Sequence, residues 1–285
     1  MRIDTYITET ATKLNQAGIG TARLDALVLL EDCLGKDRAH LLAHPEIVIT
    51  SEQLKKLNAQ IRRRLEHEPL AYIRGRTEFY GREFTVNKNV LEPRPESETM
   101  IDLLKKLSKS DNNTVQLSSQ SRLRIADIGS GSGCLGVTAA LELELKQVAF
   151  YDIDAETLRV AKENARRHNI DAKYHESDLL SKDFGPYDII LANLPYVPDN
   201  FHINQAAMRE PNIAIFGGQD GLDLYRKLFM QLRGLDWKPA YLFTEALPPQ
   251  HEKLAEIALL SGFELKQSDD FIQVFTSTTS NISAG

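Results

Sequence analysis

The chain contains 285 residues, of which 42% are hydrophobic and 26% are charged, the balance of a soluble protein with one large or two modest domains. Its formal net charge of −6 gives no support to strong sequence-independent nucleic-acid binding, which depends on lysine and arginine. No apolar run approaches the roughly 20 residues of a membrane span, and no apolar signal-peptide core follows Met1. With only two cysteines, far apart in sequence, we expect a cytoplasmic protein.

Residues 1–73 are predicted to form a helical domain, because apolar residues recur there at helical spacing. Gly18 and Gly35 are expected to end the first two helices. Thr50 and Gln53 have the spacing of a capping box at the start of a third helix, which Pro69 is expected to close.

An arginine run precedes residue 70, and a predicted hairpin follows it. The run Arg62-Arg63-Arg64 is expected to lie on the solvated face of the third helix. Residues 77–86 contain two short aromatic-rich runs around Gly81, which predict a β-hairpin within a linker that spans residues 74–92.

A stiff, charged segment, Glu92-Pro93-Arg94-Pro95-Glu96-Ser97-Glu98, leads into the next predicted helix. Two prolines restrict its backbone, so Arg94 and Glu98 are expected to be held in fixed places. A proline-capped helix start with ordinary surface charges explains the same residues. The Ser-, Asn- and Gln-rich residues 108–122 are expected to form an exposed flexible loop.

From residue 124 onward, predicted strands and helices alternate, which favours a mainly parallel sheet with helices on both faces. Strands are predicted at 124–128, 148–151, 172–175, 187–192, 240–244, 263–265 and 271–276. Helices are predicted at 133–143, 155–168, 221–235 and 248–261. Residues 93–285 are expected to form this second domain, and residues 278–285 a frayed tail.

A glycine-rich loop, Asp127-Ile128-Gly129-Ser130-Gly131-Ser132-Gly133, follows the first of these strands. Two ligand types fit it. The six residues from Gly131 match the dinucleotide fingerprint G-x-G-x-x-G, with Asp152 at a plausible distance for a ribose. The loop also resembles the S-adenosylmethionine (AdoMet) loop of class I methyltransferases, in which an acid ending the second strand binds the ribose hydroxyls.

Three features favour AdoMet over a dinucleotide. An acid, Asp127, precedes the first glycine. Residues 176–179 follow the third strand, where such enzymes contact the adenine ring. The motif after the fourth strand, Asn193-Leu194-Pro195-Tyr196, resembles the N/D-P-P-Y/F motif of methyltransferases that act on planar nitrogens. The expected cofactor-binding residues are Asp127, Gly129, Ser130, Gly131, Ser132, Gly133, Asp152, Asp178, Leu179 and Asn193.

Motifs along nearly the whole chain resemble those of the peptide chain release factor N(5)-glutamine methyltransferases, the PrmC/HemK family. Residues 23–30 resemble the D-A-x-x-L-L pattern of their N-terminal helical domain, and residues 68–75 resemble their P-x-x-Y-I-x-G linker. Residues 93–98 resemble their P-R-P-E/D-T-E segment, and residues 210–222 their E-P-x-x-A-L-x-G-G-x-D-G-L stretch.

The resemblance implies a class I AdoMet-dependent methyltransferase fold, Rossmann-like, with a mostly parallel seven-stranded sheet and a small N-terminal helical domain for substrate recognition. It implies methyl transfer from AdoMet, leaving S-adenosyl-L-homocysteine, to the glutamine of the Gly-Gly-Gln loop in class 1 release factors. The expected catalytic residues are Asn193, Leu194, Pro195 and Tyr196. The same four residues, with Arg94 and Glu98, are expected to bind the substrate.

The chain departs from the family pattern at several positions. Leu194 replaces the first proline of N-P-P-Y, Glu92 stands where an apolar residue is usual, and Ser97 replaces threonine. A glycine and an arginine expected after Asp270 are absent. Because Leu194 keeps a backbone carbonyl and still precedes Pro195, we expect activity to be retained.

Other activities are compatible with parts of the sequence. A ribosomal-protein glutamine methyltransferase, a nucleic-acid adenine N6-methyltransferase and a non-catalytic AdoMet-binding module each share some of the motifs, because adenine also presents a planar NH2 group. The acidic net charge and the N-terminal resemblance favour a protein substrate. We expect a monomer without bound metal that contacts neither nucleic acid nor membrane directly.

Overall fold

The computed structural model of the protein describes residues 1–110, 123–145 and 147–278. The expected loop at 108–122 therefore lies outside the described residues from 111 onward, and the expected tail lies outside them from 279 onward. Within the described ranges, no helix is both long enough and apolar enough to cross a membrane.

The chain divides into two compact units. The first comprises Met1–Gly75 together with Ile203–Arg209, and the second comprises Arg76–His202 and Glu210–Gly285. The hairpin that was expected within a linker belongs to the second unit, because two of its aromatic side chains, Phe79 and Phe84, are buried in that unit's core.

The first unit is helical. Thr50 and Gln53 form the predicted capping box at the start of the fourth helix, and Gly35 ends the second helix in a left-handed conformation. Pro69 does not close the fourth helix, which ends four residues earlier; it precedes a further short helix instead. The helices are α1 (Ile3–Gln16), α2 (Ala22–Leu34), α3 (Arg38–Ala43), α4 (Ser51–Leu65) and α5 (Leu70–Arg74).

The arginine run on α4 is not simply a solvated face. Arg64 is buried, and its Nε lies 2.6 Å from Oδ2 of Asp25 on α2. Its Nη1 also donates to the Glu68 carbonyl at 3.1 Å. Arg63 pairs with the Glu68 side chain, which leaves Arg62 as the exposed residue without a role in the packing. The prediction was wrong for Arg64 because its partner is distant in sequence.

A seven-stranded sheet organises the second unit and has the expected, mostly parallel character. Its strand order is β5-β4-β3-β6-β7-β9-β8, and only β9 runs antiparallel to its neighbours on both sides. The strands are β3 (Ile125–Ile128), β4 (Gln147–Asp152), β5 (Asp171–Glu176), β6 (Ile189–Ala192), β7 (Tyr241–Glu245), β8 (Phe263–Asp269) and β9 (Ile272–Ser277); β1 (Arg76–Phe79) and β2 (Arg82–Thr85) form the separate hairpin.

Helices cover both faces of the sheet, as the alternation predicts. One core contains the side chains of α6 (Glu98–Ser110), α7 (Cys134–Glu142) and α8 (Ala155–Arg167). The core on the other face contains those of α9 (Asp223–Gly234) and α10 (His251–Leu259). The apolar strands β3 and β6 are buried throughout because both of their faces are covered.

In the sheet unit, the predicted strands and helices differ from the observed ones at their ends. The predicted helix at 248–261 is a short 3₁₀ turn, Pro248–Gln250, followed by α10. β8 extends four residues beyond the predicted strand, to Asp269, along the edge of the sheet. Edge-strand residues are largely exposed, so the apolar pattern used for prediction is absent there.

Candidate active site

A cleft of about 320 Å³ opens at the carboxyl ends of β3, β4 and β6. The first residues after these strands contribute to its lining, as does the proline-rich segment from residue 88 to 97. This is where open α/β sheets bind ligands, because the loops that leave parallel strands meet at one edge. The expected residues in its wall are Arg94, Gly129, Ser130, Gly131, Ser132, Asp152, Asp178, Leu179, Asn193, Leu194 and Pro195.

The glycine-rich loop turns sharply above β3. Its three glycines, Gly129, Gly131 and Gly133, all have positive φ angles, which side chains disfavour. Gly129 also has no room for a side chain, because an added Cβ would lie 2.8 Å from Cδ2 of Leu194. The loop and the Asn193-to-Tyr196 segment are therefore in direct contact.

Two carboxylates lie beside this loop in different environments. Asp127 is buried beneath it, where Oδ2 accepts the Gly136 N–H at 2.9 Å, and burial raises its pKa to about 7. Asp152 lines the cleft, with Oδ2 accepting the Gly131 N–H at 3.1 Å, and burial raises its pKa as well. Asp127 supports the loop from below, whereas Asp152 can accept hydrogen bonds from a ligand.

The chemistry of the cleft wall suits a nucleoside with a polar tail. The Oγ atom of Ser130 is buried and has no hydrogen-bond partner among the described residues, although Ser130 lines the cleft. A buried hydroxyl without a partner is costly, and a polar ligand group would satisfy it. Ribose hydroxyls are natural donors to the Asp152 carboxylate.

Asp178 and Leu179 line the cleft beyond β5. The Asp178 carboxylate pairs with Nζ of Lys227 on α9, which fixes its orientation. Leu179 has a φ angle of 54°, an uncommon conformation for a side chain with a Cβ atom. Both residues are therefore held in place before any ligand binds.

The Asn193 side chain is oriented by its neighbours. One Nδ2 hydrogen bond runs to Oγ of Ser97 at 3.0 Å and another to Oε2 of Glu245 at 2.9 Å. While Glu245 is ionised, its carboxylate can only accept hydrogen bonds, so the amide nitrogen, and not the oxygen, faces it. The Oδ1 atom makes no hydrogen bond to any described residue and remains available to a ligand in the cleft.

Glu245, the last residue of β7, connects the parts of this site. Its carboxylate also accepts the Ser97 hydroxyl at 2.6 Å and the Tyr196 hydroxyl at 3.0 Å. The side chain is fully buried, and burial raises its pKa, although hydrogen bonds from Ser97, Tyr196 and Asn193 lower it in part. We name Ser97, Asn193, Tyr196 and Glu245 the Glu245 cluster.

The backbone after Asn193 is held by the glycine-rich stretch at 217–222. An added Cβ on Gly221, whose φ is 79°, would lie 2.0 Å from the Tyr196 carbonyl oxygen. Gln250 Nε2 donates to that carbonyl at 2.8 Å. Val197 pairs with Phe216 in a short parallel bridge. This stretch therefore fixes the path of the chain after β6.

Four of the expected site residues are not among those that line the cleft. Asp127 is buried beneath the glycine loop, Gly133 packs against Ala161 and Phe150, and Tyr196 is tethered to Glu245 through its hydroxyl. Glu98 turns toward the hairpin, where its Oε1 accepts the Tyr80 N–H at 2.6 Å. We therefore assign Glu98 to anchoring the hairpin and leave it out of the proposed substrate site.

Arg94 does line the cleft, and a buried acid holds it. Its Nη2 lies 2.8 Å from Oε1 of Glu210, whose side chain is 2% exposed. The other carboxylate oxygen of Glu210 accepts the Glu92 N–H at 3.2 Å. This ion pair connects the proline-rich segment to the stretch that begins at Glu210.

Sequence reasoning missed the functional importance of Ser97, Glu210 and Glu245. Ser97 and Glu210 lie within motifs that had been noticed, but their partners are more than 100 positions away. An acid that ends a buried strand is unusual, but this position alone does not show which residues Glu245 contacts. Its burial and its three donors become visible only in the folded chain.

Comparison with known proteins agrees with this geometry. Residues 5–75 match the family model described as the PrmC N-terminal domain, and residues 109–210 match the methyltransferase small domain. A release factor glutamine methyltransferase from Coxiella burnetii is 35% identical over 246 residues, covering 85% of each chain. One from Koribacter versatilis is 36% identical and covers 77% of each chain.

The chain belongs to the release factor glutamine methyltransferase family. Its methyltransferase domain accordingly uses AdoMet as the methyl donor. The chain also spans about half the length of a bifunctional methyltransferase from Rickettsia bellii, to which it is 32% identical over 284 residues, or 92% of this chain. The family assignment thus covers both the helical unit and the sheet.

The fold of this family member is shared with more distant methyltransferases. The catalytic domain of hMettl16, solved in complex with an RNA hairpin, aligns with a TM-score of 0.53 at 12% identity. The alignment covers 83% of this chain and 85% of that one. This likeness confirms the predicted class I methyltransferase fold.

Proposed function

We propose that this chain transfers a methyl group from AdoMet to the side-chain amide nitrogen of the glutamine in the Gly-Gly-Gln loop of class 1 peptide chain release factors. The observation that carries the proposal is the hydrogen bonding of Asn193. Both of its Nδ2 hydrogen bonds are directed to Ser97 and Glu245, so its carbonyl oxygen is left to the cleft.

An amide nitrogen is a weak nucleophile, because its lone pair is delocalised into the neighbouring carbonyl. Two acceptors placed to receive its two N–H groups orient the nitrogen and favour the partial positive charge that develops during transfer. Asn193 Oδ1 supplies one acceptor and the Leu194 carbonyl the other. Neither oxygen accepts a hydrogen bond from a residue that the structure describes.

The remaining residues position these two acceptors and the cofactor. Asp152 binds the ribose hydroxyls, Gly129 and Gly131 let the backbone pass close to the ligand, and AdoMet supplies an electrophilic methyl group. Pro195 restricts the conformation of Leu194 and thereby aims its carbonyl. The Tyr196 hydroxyl stays bound to Glu245 and so supports the segment that follows Leu194.

No strong general base is needed for the last step. The methylated nitrogen carries a positive charge until it loses a proton, and an N-alkylated amide cation is acidic enough to give that proton to water. Glu245 is not placed to receive it, because its oxygens already accept hydrogen bonds from Ser97, Asn193 and Tyr196. Its role is to hold Asn193.

The helical domain, residues 1–73, is proposed to select the release factor among the many glutamine-containing proteins of the cytoplasm. The hairpin that follows it packs in the core of the methyltransferase unit. In this proposal the enzyme acts as a monomer. The acidic net charge suits a protein substrate better than a nucleic acid.

The direct test is to incubate the protein with isotope-labelled AdoMet and one substrate at a time. The substrates are a purified class 1 release factor, a ribosomal protein that normally carries a methylated glutamine but is purified without the methyl group, and DNA. We expect one methyl group on the release factor, mapped by mass spectrometry to the glutamine of its Gly-Gly-Gln loop. A release factor with that glutamine replaced by asparagine is the matched control and should remain unlabelled.

Labelling of the ribosomal protein or of adenine in DNA, with the release factor unlabelled, would replace this function by one of its alternatives. AdoMet binding without transfer to any of the three substrates would indicate a non-catalytic module.

A further inference from the structure

A buried tyrosine hydroxyl joins the ends of the two strands that carry Asn193 and Glu245. Tyr225, on α9, is fully buried, and burial raises the pKa of its phenol, so it remains a neutral donor. Its hydroxyl lies 3.0 Å from the Ala192 carbonyl, at the end of β6, and 2.5 Å from the Glu245 carbonyl, at the end of β7. The single hydroxyl proton is shared between these two acceptors.

The same oxygen also accepts hydrogen bonds. The Glu245 N–H donates to it at 3.2 Å and the Leu194 N–H at 3.3 Å. Tyr225 therefore contacts the backbone on both sides of Asn193 and at Glu245, while the Glu245 side chain holds the Asn193 amide. Both the backbone and the side chain of Asn193 are tied to β7.

The motif that residues 193–196 resemble has proline at the position of Leu194. Proline has no N–H group and restrains φ through its ring. Leucine lacks that covalent restraint, but it can donate a hydrogen bond. In the buried environment of Leu194, which is 1% exposed, a backbone N–H requires a partner, and Tyr225 provides it.

The Leu194 side chain adds a second restraint. It belongs to the core on the α9 and α10 face, and its Cδ2 occupies the space in which a side chain on Gly129 would lie. Leu194 thus lines the cleft, packs beside the cofactor loop through its side chain, and reaches α9 through its N–H.

We propose that the hydrogen bond from the Leu194 N–H to the Tyr225 hydroxyl replaces the proline ring as the restraint that aims the Leu194 carbonyl at the acceptor amide. Tyr225 is then a positioning residue for methyl transfer. This inference rests on the proposed function, because it needs a substrate amide that the Leu194 carbonyl receives. It concerns the rate of transfer and not the binding of AdoMet.

A set of variants isolates the N–H group. Tyr225→Phe removes the hydroxyl and is combined with leucine, alanine or proline at position 194. Leu194→Ala keeps the N–H but removes the side chain, whereas Leu194→Pro removes the N–H and restores the ring. The assay measures kcat and KM on a peptide that contains the Gly-Gly-Gln loop, together with the Kd for AdoMet by calorimetry.

We expect Tyr225→Phe to lower kcat about tenfold in the Leu194 and Leu194→Ala backgrounds, as the loss of a buried hydrogen bond implies. In the Leu194→Pro background it should lower kcat about threefold or less, because only its bonds to Ala192 and Glu245 are lost there. The Kd for AdoMet should change by less than about threefold in all three backgrounds.

Tyr187→Phe is the matched control for a merely structural effect. Tyr187 is another buried tyrosine of the same core and precedes the amino end of β6. Its hydroxyl lies 2.8 Å from that of Tyr151. It should lower the melting temperature as Tyr225→Phe does but leave kcat unchanged. Equal kcat losses from Tyr225→Phe in all three backgrounds would overturn the inference.

Different results would contradict the proposed function and the restraint by Tyr225. If the unaltered protein does not methylate the glutamine, the proposed function fails and the variants cannot rescue it. If it does methylate the glutamine and the three backgrounds respond alike, the function stands and the restraint by Tyr225 is wrong.

Discussion

At the residue scale, Glu245 determines which atom of Asn193 faces the cleft. The side chain of an asparagine can present either its oxygen or its nitrogen, and only the oxygen can accept the N–H of a substrate amide. The buried carboxylate removes this ambiguity because it cannot donate. In the proposed mechanism, a residue that contacts no substrate thus orients one that does.

Replacing Glu245 by glutamine tests this control. In the native protein, protonation of Glu245 at low pH gives it an O–H donor that faces the donor groups of Ser97, Asn193 and Tyr196. We therefore expect kcat to fall as pH decreases through a pKa above the usual glutamate value. Glu245→Gln should lower kcat roughly 10- to 100-fold, by weakening these bonds, and should abolish that acid limb. Measurement of kcat between pH 5 and 9 at saturating AdoMet checks both effects.

The control for this variant is Glu264→Gln, since Glu264 is exposed on β8. It should keep the native profile, and persistence of the acid limb in Glu245→Gln would refute the assignment.

Stability has the opposite pH dependence: because the folded-state pKa is raised, stability attributable to Glu245 falls as pH rises from 4.5 toward the raised pKa. Ionised Glu245 is thus retained at a cost in stability.

Most of the site residues that the sequence predicts line the cleft, because they follow strands in short motifs. Asn193, Asp152 and the loop glycines could be placed from strand order alone, since parallel strands bring their carboxyl ends together. Glu245 and Tyr225 could not be placed in this way. Their importance depends on contacts with Asn193 and Leu194 across the sheet, which no local pattern encodes.

At the element scale, the sheet was predictable because its central strands are continuous apolar runs. β3 and β6 are buried on both faces, and their ends were predicted to within two residues. The edge strand β8 was predicted too short, because its exposed residues lack the pattern. In the helical unit, the prediction failed at Arg64, whose burial depends on Asp25 on another helix.

Arg64 provides a stability test of the helical unit. Arg64→Ala leaves the Asp25 carboxylate buried without its partner, which should destabilise the unit by about 3–5 kcal/mol. Arg62→Ala, on the exposed side of the same helix, should change stability by less than about 0.5 kcal/mol. Hydrogen exchange of the α2 and α4 amides, together with urea unfolding, measures the stability change of each variant. Equal destabilisation by Arg64→Ala and Arg62→Ala would contradict the packing described.

At the scale of the whole molecule, the helical unit and the sheet unit have different proposed tasks. The sheet unit contains the cleft and all residues of the Glu245 cluster. The helical unit matches the N-terminal domain of the family and contains none of the residues that line the cleft. Residues 203–209, which come from the middle of the chain, cluster with the helical unit, and no sequence pattern suggested this.

The division of tasks predicts a substrate-dependent defect. At temperatures where the helical unit is partly unfolded, Arg64→Ala should reduce methylation of a whole release factor about tenfold or more. A few kcal/mol of destabilisation is enough to unfold the unit to that extent. Methylation of the short Gly-Gly-Gln peptide should be nearly unchanged. Steady-state assays on both substrates check this, and equal losses would assign the helical unit a structural role only.

The Asn193 side-chain oxygen is proposed to receive the substrate amide, and the rate of a single turnover with Asn193→Ala tests this role. With AdoMet and peptide both saturating, we predict a fall of about 100-fold or more, comparable to the loss of one preorganised hydrogen-bonding group at other transition states. The affinity for AdoMet, measured by calorimetry, should change by less than about threefold. An unchanged single-turnover rate would contradict the account.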